Sequence, residues 1–241
     1  MNSELLKKLQ SVDTPTVCNA IEVAQGKRGF NQFTRASVLC SDNLNSSSHS
    51  GDQQPIALVG YARTAKIAAL EPSQESPEVI RERRMAYYKY MSQAPKPAIT
   101  VIEDLDYPNA IGAYWGEINT TVHKGLGIAG ALTNGVMRDL GDMADGFAVI
   151  AGSIGPSHGF VHIRAIAEPV NIFGMQVKEG DLVHADRHGA VVIPVDIIPL
   201  IADAIDSLLA TEQLILIPAR RDDFDFEAFE KAWGDFEKSR T

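Results

Sequence analysis

The chain has 241 residues, a mass of 26.2 kDa and a formal net charge of -9, with a pI near 5.1. This length suffices for one large domain or two small ones with a sizeable core. The acidic balance argues against a surface that binds nucleic acid or anionic lipid, because such surfaces need a basic patch. A single cationic pocket is still compatible with it.

The two cysteines, Cys18 and Cys40, have no metal-ligand spacing, and nothing before them resembles a cleaved secretory signal. No apolar run approaches the ~20 residues that a bilayer-spanning helix needs. We therefore expect a soluble cytoplasmic protein without a membrane or nucleic-acid partner. Cys18 lies beside the apolar stripe of a predicted helix, and we interpret it as a structural thiol.

Helices are predicted at the start of the chain. Ser3 can cap a short helix to about Leu9, and Thr14-Pro15 begins a second helix that ends at Gly26. An apolar stripe with helical spacing gives the second helix a buried face, formed by Val17, Ala20, Ile21 and Ala24.

The next segments alternate between polar and apolar character. Residues 41–54 are polar and rich in turn formers, which predicts a mobile loop, and residues 57–70 are apolar, as in a strand. Ser76-Pro77 then begins an amphipathic helix. Its basic cluster is interpreted as a solvated or subunit-facing surface and consists of Arg81, Arg83 and Arg84.

A buried strand is predicted at residues 98–102, and three acids follow it: Glu103, Asp104 and Asp106. Catalytic groups often gather at strand ends in α/β folds, but acids in loops are usually only solvated, which is the favoured interpretation. Further on, Gly125, Gly127 and Gly130 spell G-x-G-x-x-G. A dinucleotide site needs a strand before this motif and a helix after it, whereas the pattern here is the reverse.

The C-terminal half is predicted to be rich in strands. Residues 147–151 read as a strand, residues 160–194 as a β meander, and residues 196–211 as a helix. The tail carries an aromatic stripe with helical spacing, formed by Phe226, Phe229, Trp233 and Phe236, so we expect a helix that docks on its own or a neighbouring subunit.

Two groups of histidines leave alternatives open. His184, Asp186 and His188 would share one face of an extended strand and could bind zinc or iron. The same residues also read as a hairpin turn, which is the favoured interpretation. Ser157-His158, together with His162, lies between glycines, where one histidine could serve as a proton shuttle or both could be ordinary loop and strand residues.

The stretch from Gly116 to Asp139 carries the clearest chemical signal, GEINTTVHKGLGIAGALTNGVMRD. A guanidinium such as that of Arg138 can hold a substrate carboxylate with two hydrogen bonds. Asp139 offers hard oxygen to Mg²⁺ or Mn²⁺. Glu117 adds a second carboxylate that can order water or move a proton. A 2-oxo acid is a small substrate that would use all of these groups.

The spacing of an acid, twenty residues and Arg-Asp resembles the signature of the family that contains 4-hydroxy-4-methyl-2-oxoglutarate aldolases and the regulator of ribonuclease activity A. Other stretches agree with this resemblance, namely VDTPTVCNAIE, ALVGYARTAK, YWGEI and VKEGDLVHADRHGAVVIP. The likeness covers roughly residues 10 to 215. The predicted domains are therefore 1–215, with the polar loop, and a helical tail at 216–241.

The resemblance implies an α/β fold, an αββα sandwich of the swivelling, phosphohistidine-like type, in a trimer or hexamer with active sites at subunit interfaces. It also implies that Asp139 binds a divalent metal mostly through waters, that Arg138 holds the pyruvyl carboxylate, and that Glu117 supports the metal waters. Gly116, Ile118 and Asn119 would lie nearby and help to bind the substrate. A neighbouring subunit would supply an acid, for which Glu212 and the acids after Arg221 are candidates.

Two functions follow from the resemblance. The first is a metal-dependent lyase that performs retro-aldol cleavage of 4-hydroxy-4-methyl-2-oxoglutarate-like substrates or decarboxylates oxaloacetate, in both cases through an enolate that leads to pyruvate. The second is a regulator that binds a protein partner. Regulators of this family tend to lack the metal aspartate, so Asp139 favours the enzyme. A third label used in this family is menaquinone methyltransferase. The sequence does not support it, because no glycine-rich methyl-donor site follows the first predicted strand.

Overall fold

The computed structural model describes residues 1–41 and 57–239. The loop predicted at 41–54 lies outside these residues, except for Ser41. The described helices are α1 (Ser3–Gln10), α2 (Thr14–Gln25), α3 (Pro77–Ser92), α4 (Glu117–Gly125), α5 (Ile201–Ala219) and α6 (Phe226–Lys238). The described strands are β1 (Leu39–Cys40), β2 (Leu58–Ala68), β3 (Ala98–Asp104), β4 (Ala113–Trp115), β5 (Gly130–Thr133), β6 (Val136–Met137), β7 (Ala148–Ala151), β8 (Ser153–Ile154), β9 (His162–Ile166), β10 (Val170–Ile172), β11 (Met175–Val177), β12 (Leu182–Asp186) and β13 (Gly189–Ile193).

This mixed α/β chain divides into two compact units. The first unit contains Met1–Pro15 and the described part of Asn31–Val195, and it includes all the strands given above. The second contains Thr16–Phe30, a segment that includes most of α2, and the described residues from Asp196 onward. Within the second unit, α5 and α6 contact each other. No helix in the described residues is long and apolar enough to cross a membrane.

The main sheet of the first unit has the strand order β1-β7-β5-β3-β2-β12-β13, and β9 pairs with β2 as an eighth strand. Strands β2, β3, β5 and β7 are parallel, so their carboxyl ends lie at the same edge. The predicted meander at 160–194 is wrong in its pairing, because β9 pairs with β2 while β10–β11 and β12–β13 form hairpins. The partner of β9 is distant in sequence, and the periodicity of a strand does not reveal its partner.

Alternation of side chains along the central strands creates two hydrophobic clusters. One contains Ile99 and Val101 of β3 together with residues of the β10–β11 hairpin. The other contains Ile102 of β3 together with Tyr87 and Met91 of α3. The sheet therefore has a hairpin on one face and a layer that includes α3 on the other. The finer description as a swivelling αββα sandwich stays a prediction.

Most helix boundaries follow local chemistry. Ser76 accepts a hydrogen bond from the N–H of Val79 at 3.5 Å at the start of α3, and α2 ends before Gly26, whose φ is 63°. At α1 the prediction was wrong by one residue, because Asn2 Oδ1 rather than Ser3 accepts from the N–H of Leu5, at 2.8 Å. Helix α5 begins at Ile201 and continues to Ala219, beyond the predicted end near residue 211. The intervening LILI run contains good helix formers and no breaker before Pro218.

Candidate active site

Two neighbouring parallel strands, β4 and β6, end at the candidate site. Strand β4 leads into Gly116 and α4, and β6 leads into Arg138 and Asp139. Because parallel strands end at the same edge of a sheet, residues that are distant in the chain meet here. The N–H of Arg138 donates to the carbonyl of Trp115 at 2.8 Å, which fixes the end of one strand against the other.

The Asp139 carboxylate occupies the N-terminus of α4. Its Oδ2 atom accepts a hydrogen bond from the N–H of Glu117 at 3.1 Å and lies 3.4 Å from Nε of Arg138. Gly116 is the N-cap residue and has no side chain to supply this bond. A carboxylate from another element therefore caps the helix, where the partial positive charge of the helix end attracts it.

The backbone at Asp139 is unusual, with φ at 54°. This left-handed conformation is uncommon for residues with a side chain, and aspartate, asparagine and glycine tolerate it best. The carbonyl of Asp139 accepts from the N–H of Asp142 at 3.0 Å, which closes a turn immediately after the site. The turn orients the carboxylate back toward α4.

Gly116 leaves space that the site needs. A Cβ atom at this position would lie 2.4 Å from Asp139 Oδ2 and 3.1 Å from Arg138 Cγ. The φ of Gly116 is -162°, which is extended backbone that any residue adopts. The lack of a side chain is therefore the reason for glycine here, and conformational freedom is not.

The other predicted residues belong to the first turn of α4. The side chain of Glu117 is exposed, and it is the backbone N–H of this residue that contacts Asp139. Ile118 is 72% exposed. Asn119 is half-buried: its Nδ2 donates to the carbonyl of Tyr114, and its Oδ1 accepts from the hydroxyl of Tyr88, both at 2.7 Å.

The residues that hold α4 in place were not predicted from the sequence. Thr120 Oγ1 donates to the carbonyl of Gly116 at 2.9 Å and accepts from the N–H of Ala144 at 3.0 Å. Behind it, the hydroxyl of Tyr87 contacts Nε2 of His123 at 2.6 Å, and Nδ1 of His123 donates to the carbonyl of Asn119 at 2.6 Å. The helical spacing of Asn119, Thr120 and His123 was the available signal.

Burial sets the protonation of this pair. It lowers the pKa of His123 to about 4 and raises the pKa of Tyr87. Both side chains are therefore neutral near pH 7, with Nε2 of His123 as the acceptor for the tyrosine hydroxyl. Trp115 packs against His123 with ring centroids 4.8 Å apart. Helix α4 is thus packed through His123 against buried aromatic side chains.

Asp139 is the side chain best placed to bind a metal ion. It is 36% exposed, and its Oδ1 atom accepts no hydrogen bond from residues 1–41 or 57–239. Within the same residues, no group of three or more His, Cys, Asp or Glu side chains could hold a metal ion. A closed zinc-type site is therefore a poor fit, whereas Mg²⁺ or Mn²⁺, which uses one or two carboxylates and keeps several waters, is a good one.

The first histidine group is structural. His184 is buried, with Nδ1 3.0 Å from Thr14 Oγ1 and Nε2 2.9 Å from the carbonyl of Leu9, so both ring nitrogens have partners. Asp186 accepts from the N–H groups of Thr14 at 2.8 Å and His188 at 2.7 Å. The hairpin interpretation is confirmed by the pairing of Asp186 with Gly189. Within residues 1–41 and 57–239 these three side chains do not form a group that could hold a metal ion.

The second histidine group lies at a cavity of about 530 Å³. His158 and His162 line it, and Nδ1 of each donates to a nearby backbone carbonyl at 2.7 Å. Asn119 lines the same cavity. The two histidines therefore lie near the first turn of α4, although none of their hydrogen bonds involves Arg138 or Asp139.

The acids predicted to follow the strand at 98–102 lie elsewhere, and Glu103 and Asp104 are the last two residues of β3 itself. Asp104 is buried rather than solvated. Asp106 accepts from the N–H groups of Ala69 and Leu70 at 2.6 and 2.8 Å, while Glu103 and Asp104 line a second cavity of about 310 Å³. Burial raises the pKa of Asp104 to about 6. Neither Arg138 nor Asp139 lines that cavity.

The glycine motif has the reversed order that the sequence predicted. Gly125 ends α4, Gly127 has a φ of 78°, and Gly130 begins β5. A helix therefore precedes these glycines and a strand follows them, opposite to a dinucleotide fingerprint.

Several solved structures share this fold. An uncharacterized protein from Pseudomonas syringae pv. tomato str. DC3000 aligns with a TM-score of 0.64 and 19% identity over 97% of this chain and 94% of its own. Streptomyces coelicolor RraAS2, described as an unusual member of the RNase ES inhibitor RraA protein family, aligns with a TM-score of 0.63 and 22% identity over 92% of this chain and 98% of its own. A protein from Geobacillus kaustophilus HTA426, described as S-adenosylmethionine: 2-dimethylmenaquinone methyltransferase, aligns with a TM-score of 0.50 and 16% identity. That alignment covers 67% of this chain and 86% of the other.

At these identities the structural similarities establish the fold alone. No curated protein sequence matches the chain significantly. The model of the RraA-like family, described as Aldolase/RraA, matches residues 14–192. That match covers most of the chain and includes Gly116, Glu117, Arg138 and Asp139, so the chain belongs to the RraA-like family.

Proposed function

We propose that this protein is a divalent-metal-dependent carbon–carbon lyase that acts on a small 2-oxo acid and releases pyruvate. The observation that carries the proposal is the Asp139 carboxylate, which is held at the N-terminus of α4 beside Arg138 with one oxygen bonded and the other unused. The family model, described as Aldolase/RraA, is consistent with this chemistry.

Arg138 is proposed to bind the substrate carboxylate. Its side chain is 31% exposed and its Nε lies 3.4 Å from Asp139 Oδ2, and its Cγ lies beside Gly116. A guanidinium can donate two parallel hydrogen bonds to a carboxylate. This contact would orient the 2-oxo group toward Asp139.

Asp139 is proposed to hold Mg²⁺ or Mn²⁺ mainly through water, with Oδ1 as the available oxygen. When bound, the metal would supply a Lewis acid that stabilises negative charge on the 2-oxo oxygen of the substrate. The contact with the N–H of Glu117 keeps the carboxylate in one orientation before substrate binds. Such preorganisation lowers the reorganisation needed in the reaction.

The first turn of α4 is proposed to complete the site. The N–H groups of Ile118 and Asn119 lie at the helix start, where backbone donors lack intrahelical partners and bind anions. The exposed carboxylate of Glu117 is proposed to move a proton. In retro-aldol cleavage the C4 hydroxyl gives up its proton and C4 leaves as a carbonyl compound, whereas in decarboxylation of oxaloacetate C4 leaves as CO2. In both cases the electron pair of the broken C3–C4 bond stays on C3 as the pyruvate enolate, and protonation of C3 then gives pyruvate.

The assembly of these sites is also a proposal. We propose a homotrimer or homohexamer with active sites at subunit interfaces, in which an acid from the C-terminal region of a neighbour completes the site. Sedimentation velocity would measure the oligomeric state. A monomer with full lyase activity would contradict this arrangement.

A protein-binding regulator is the second candidate. Helix α6 exposes a row of aromatic side chains, with Phe226 74%, Phe229 37% and Trp233 43% exposed. Neighbouring rings in this row lie 5.7 to 6.2 Å apart. Exposed aromatic rows suit protein contacts. Asp139 has no evident role in such a contact, which is why the enzyme is the first candidate.

The proposal is tested by pyruvate release from oxaloacetate and from 4-hydroxy-4-methyl-2-oxoglutarate, with Mg²⁺, with Mn²⁺ and with a chelator. We expect metal-dependent release by the wild type and a loss of at least about 100-fold in Asp139→Asn, which keeps the shape of the side chain and removes its charge. Asp142→Asn, an exposed neighbour, serves as the matched control.

Mn²⁺ binding, measured by electron paramagnetic resonance, separates the outcomes. Full metal-dependent activity in Asp139→Asn would show that another group holds the metal. Absence of Mn²⁺ binding by the wild type would favour the regulator. Mn²⁺ binding without pyruvate release would point to a different 2-oxo acid.

A further inference from the structure

The cavity of about 530 Å³ has a wall that includes one face of α3. Ile80, Arg84 and Tyr88 are spaced four residues apart along this face, as side chains on one side of a helix are. Tyr114 and Asn119 connect the cavity to the β4–α4 junction. No Asp or Glu side chain is among the described residues that line it, although the chain as a whole has a net charge of -9.

The positive charge of Arg84 is not neutralised by the described parts of the protein. The adjacent Arg83 forms two hydrogen bonds with Glu75, at 2.5 and 2.6 Å. Arg84 has no ion pair with any carboxylate in residues 1–41 or 57–239. Its guanidinium therefore keeps its five N–H donors available at the edge of the cavity.

Other groups at the cavity also suit an anion. Asn119 uses one N–H of its amide on the carbonyl of Tyr114, so the second N–H is available. His158 and His162 each use Nδ1 on a backbone carbonyl, so they form part of the wall without donating to the ligand through that atom. Ile80 and Phe160 add apolar surface, which favours an organic ligand over a bare inorganic ion.

We infer that this cavity binds a carboxylate of a small organic acid and that Arg84 is the residue that holds it. Glu117 and Asn119 lie in the same helical turn, about 3 Å apart along the helix axis. Asn119 is thus the link between the cavity and the helix turn that holds Asp139, although Arg138 and Asp139 do not themselves line the cavity. The carboxylate belongs either to the far end of the substrate, which rests on the proposed lyase function, or to a separate organic acid.

Calorimetric titration with glutarate tests the site without relying on catalysis. We expect wild-type protein to bind glutarate and Arg84→Gln to bind it about tenfold more weakly or worse, since a charged hydrogen-bonding partner is lost. Arg81→Gln is the matched control because Arg81 is exposed on the same helix and does not line the cavity. Its affinity should equal that of the wild type.

Three results would overturn the inference: no glutarate binding by the wild type, equal binding by Arg84→Gln, or an equal loss in Arg81→Gln. Because Arg84 is exposed, its replacement should leave the fold intact, and a thermal unfolding curve verifies this. The titration reads out binding in the absence of any reaction.

Kinetics with 4-hydroxy-4-methyl-2-oxoglutarate then identify the source of the carboxylate, because its far carboxylate stays in the product, whereas that of oxaloacetate leaves as CO2. If it is the far end of the substrate, glutarate competes with this compound, and Arg84→Gln raises KM about tenfold with a smaller change in kcat. If it belongs to a separate acid, glutarate binds without competing and KM is unchanged. Both results support the cavity as a carboxylate site. Absence of pyruvate release from the wild type would count against the lyase proposal and leave the titration result standing.

Discussion

Replacing Gly116 with alanine would test whether the position of Asp139 matters for function. The added Cβ would lie 2.4 Å from Asp139 Oδ2, whereas ordinary contact begins at 3.4 Å. The carboxylate must therefore move by about 1 Å, and a misplacement of that size can cost on the order of 100-fold in rate. The backbone is extended at this residue, so the substitution adds no strain in φ.

The same substitution should affect stability much less than activity. It weakens the hydrogen bond from Glu117 to a carboxylate that is 36% exposed, and water can replace that bond. We expect a loss of about 1 kcal/mol in the free energy of unfolding, typical of a helix cap. Urea denaturation measures this loss, a pyruvate-coupled assay measures kcat/KM, and Mn²⁺ titration measures metal affinity.

Gly141→Ala provides the matched control, because no atom lies within 4 Å of a Cβ placed there. It should retain wild-type kcat/KM. Wild-type kcat/KM and metal affinity in Gly116→Ala would refute the reasoning, and so would an equal loss in Gly141→Ala. A loss of stability well beyond about 2 kcal/mol would show that the glycine serves the fold rather than the site.

Three further predictions concern stability. Burial lowers the pKa of His123 to about 4, so the contribution of this residue to stability is complete above its unfolded pKa of 6.5 and is lost as the pH falls from 6.5 to 4. His123→Gln should remove up to about 3 kcal/mol of this pH dependence from the stability measured by urea denaturation. An unchanged profile would contradict the assignment. Burial raises the pKa of Asp104 to about 6, so its protonated form contributes stability at low pH that is lost as the pH rises through 6. Asp104→Asn should therefore be more stable than the wild type by about 1 to 2 kcal/mol at pH 8 and should lose that advantage at pH 4. A pH-independent difference in stability would exclude titration as its cause. Asp225 Oδ1 accepts from the N–H of Ala228 at 2.9 Å at the start of α6; Asp225→Ala should lower amide protection in the first turn by about 1 kcal/mol in hydrogen exchange, and unchanged protection would show that the cap is not needed.

The sequence predicted the elements best where local chemistry decides them. Ser76 and Pro77 mark the start of α3, and Gly26 marks the end of α2. Contacts between distant segments were not predictable in the same way. The pairing of β9 with β2 depends on which strand is available in the folded sheet, and periodicity carries no such information.

The candidate site was predicted as a set of residues but not as an arrangement. The motif brought Glu117, Arg138 and Asp139 to attention, yet nothing in it indicated that the Glu117 backbone, rather than its side chain, would contact Asp139. The role of Gly116 became visible only from the distance to Asp139. Arg84 was interpreted as part of a solvated or subunit-facing basic cluster, because sequence spacing shows a helix face without showing the cavity beside it.

The left-handed backbone at Asp139 also limits how this position can change over generations. Most side chains are disfavoured at a φ of 54°, while asparagine and glycine share the tolerance of aspartate. The single-nucleotide changes from an aspartate codon include codons for both of these residues. A descendant could therefore lose the charge of Asp139 in one step while keeping the turn, α4 and the fold. A scaffold of this kind can therefore exchange a charged side chain for a neutral one at this position without passing through a sequence that fails to fold.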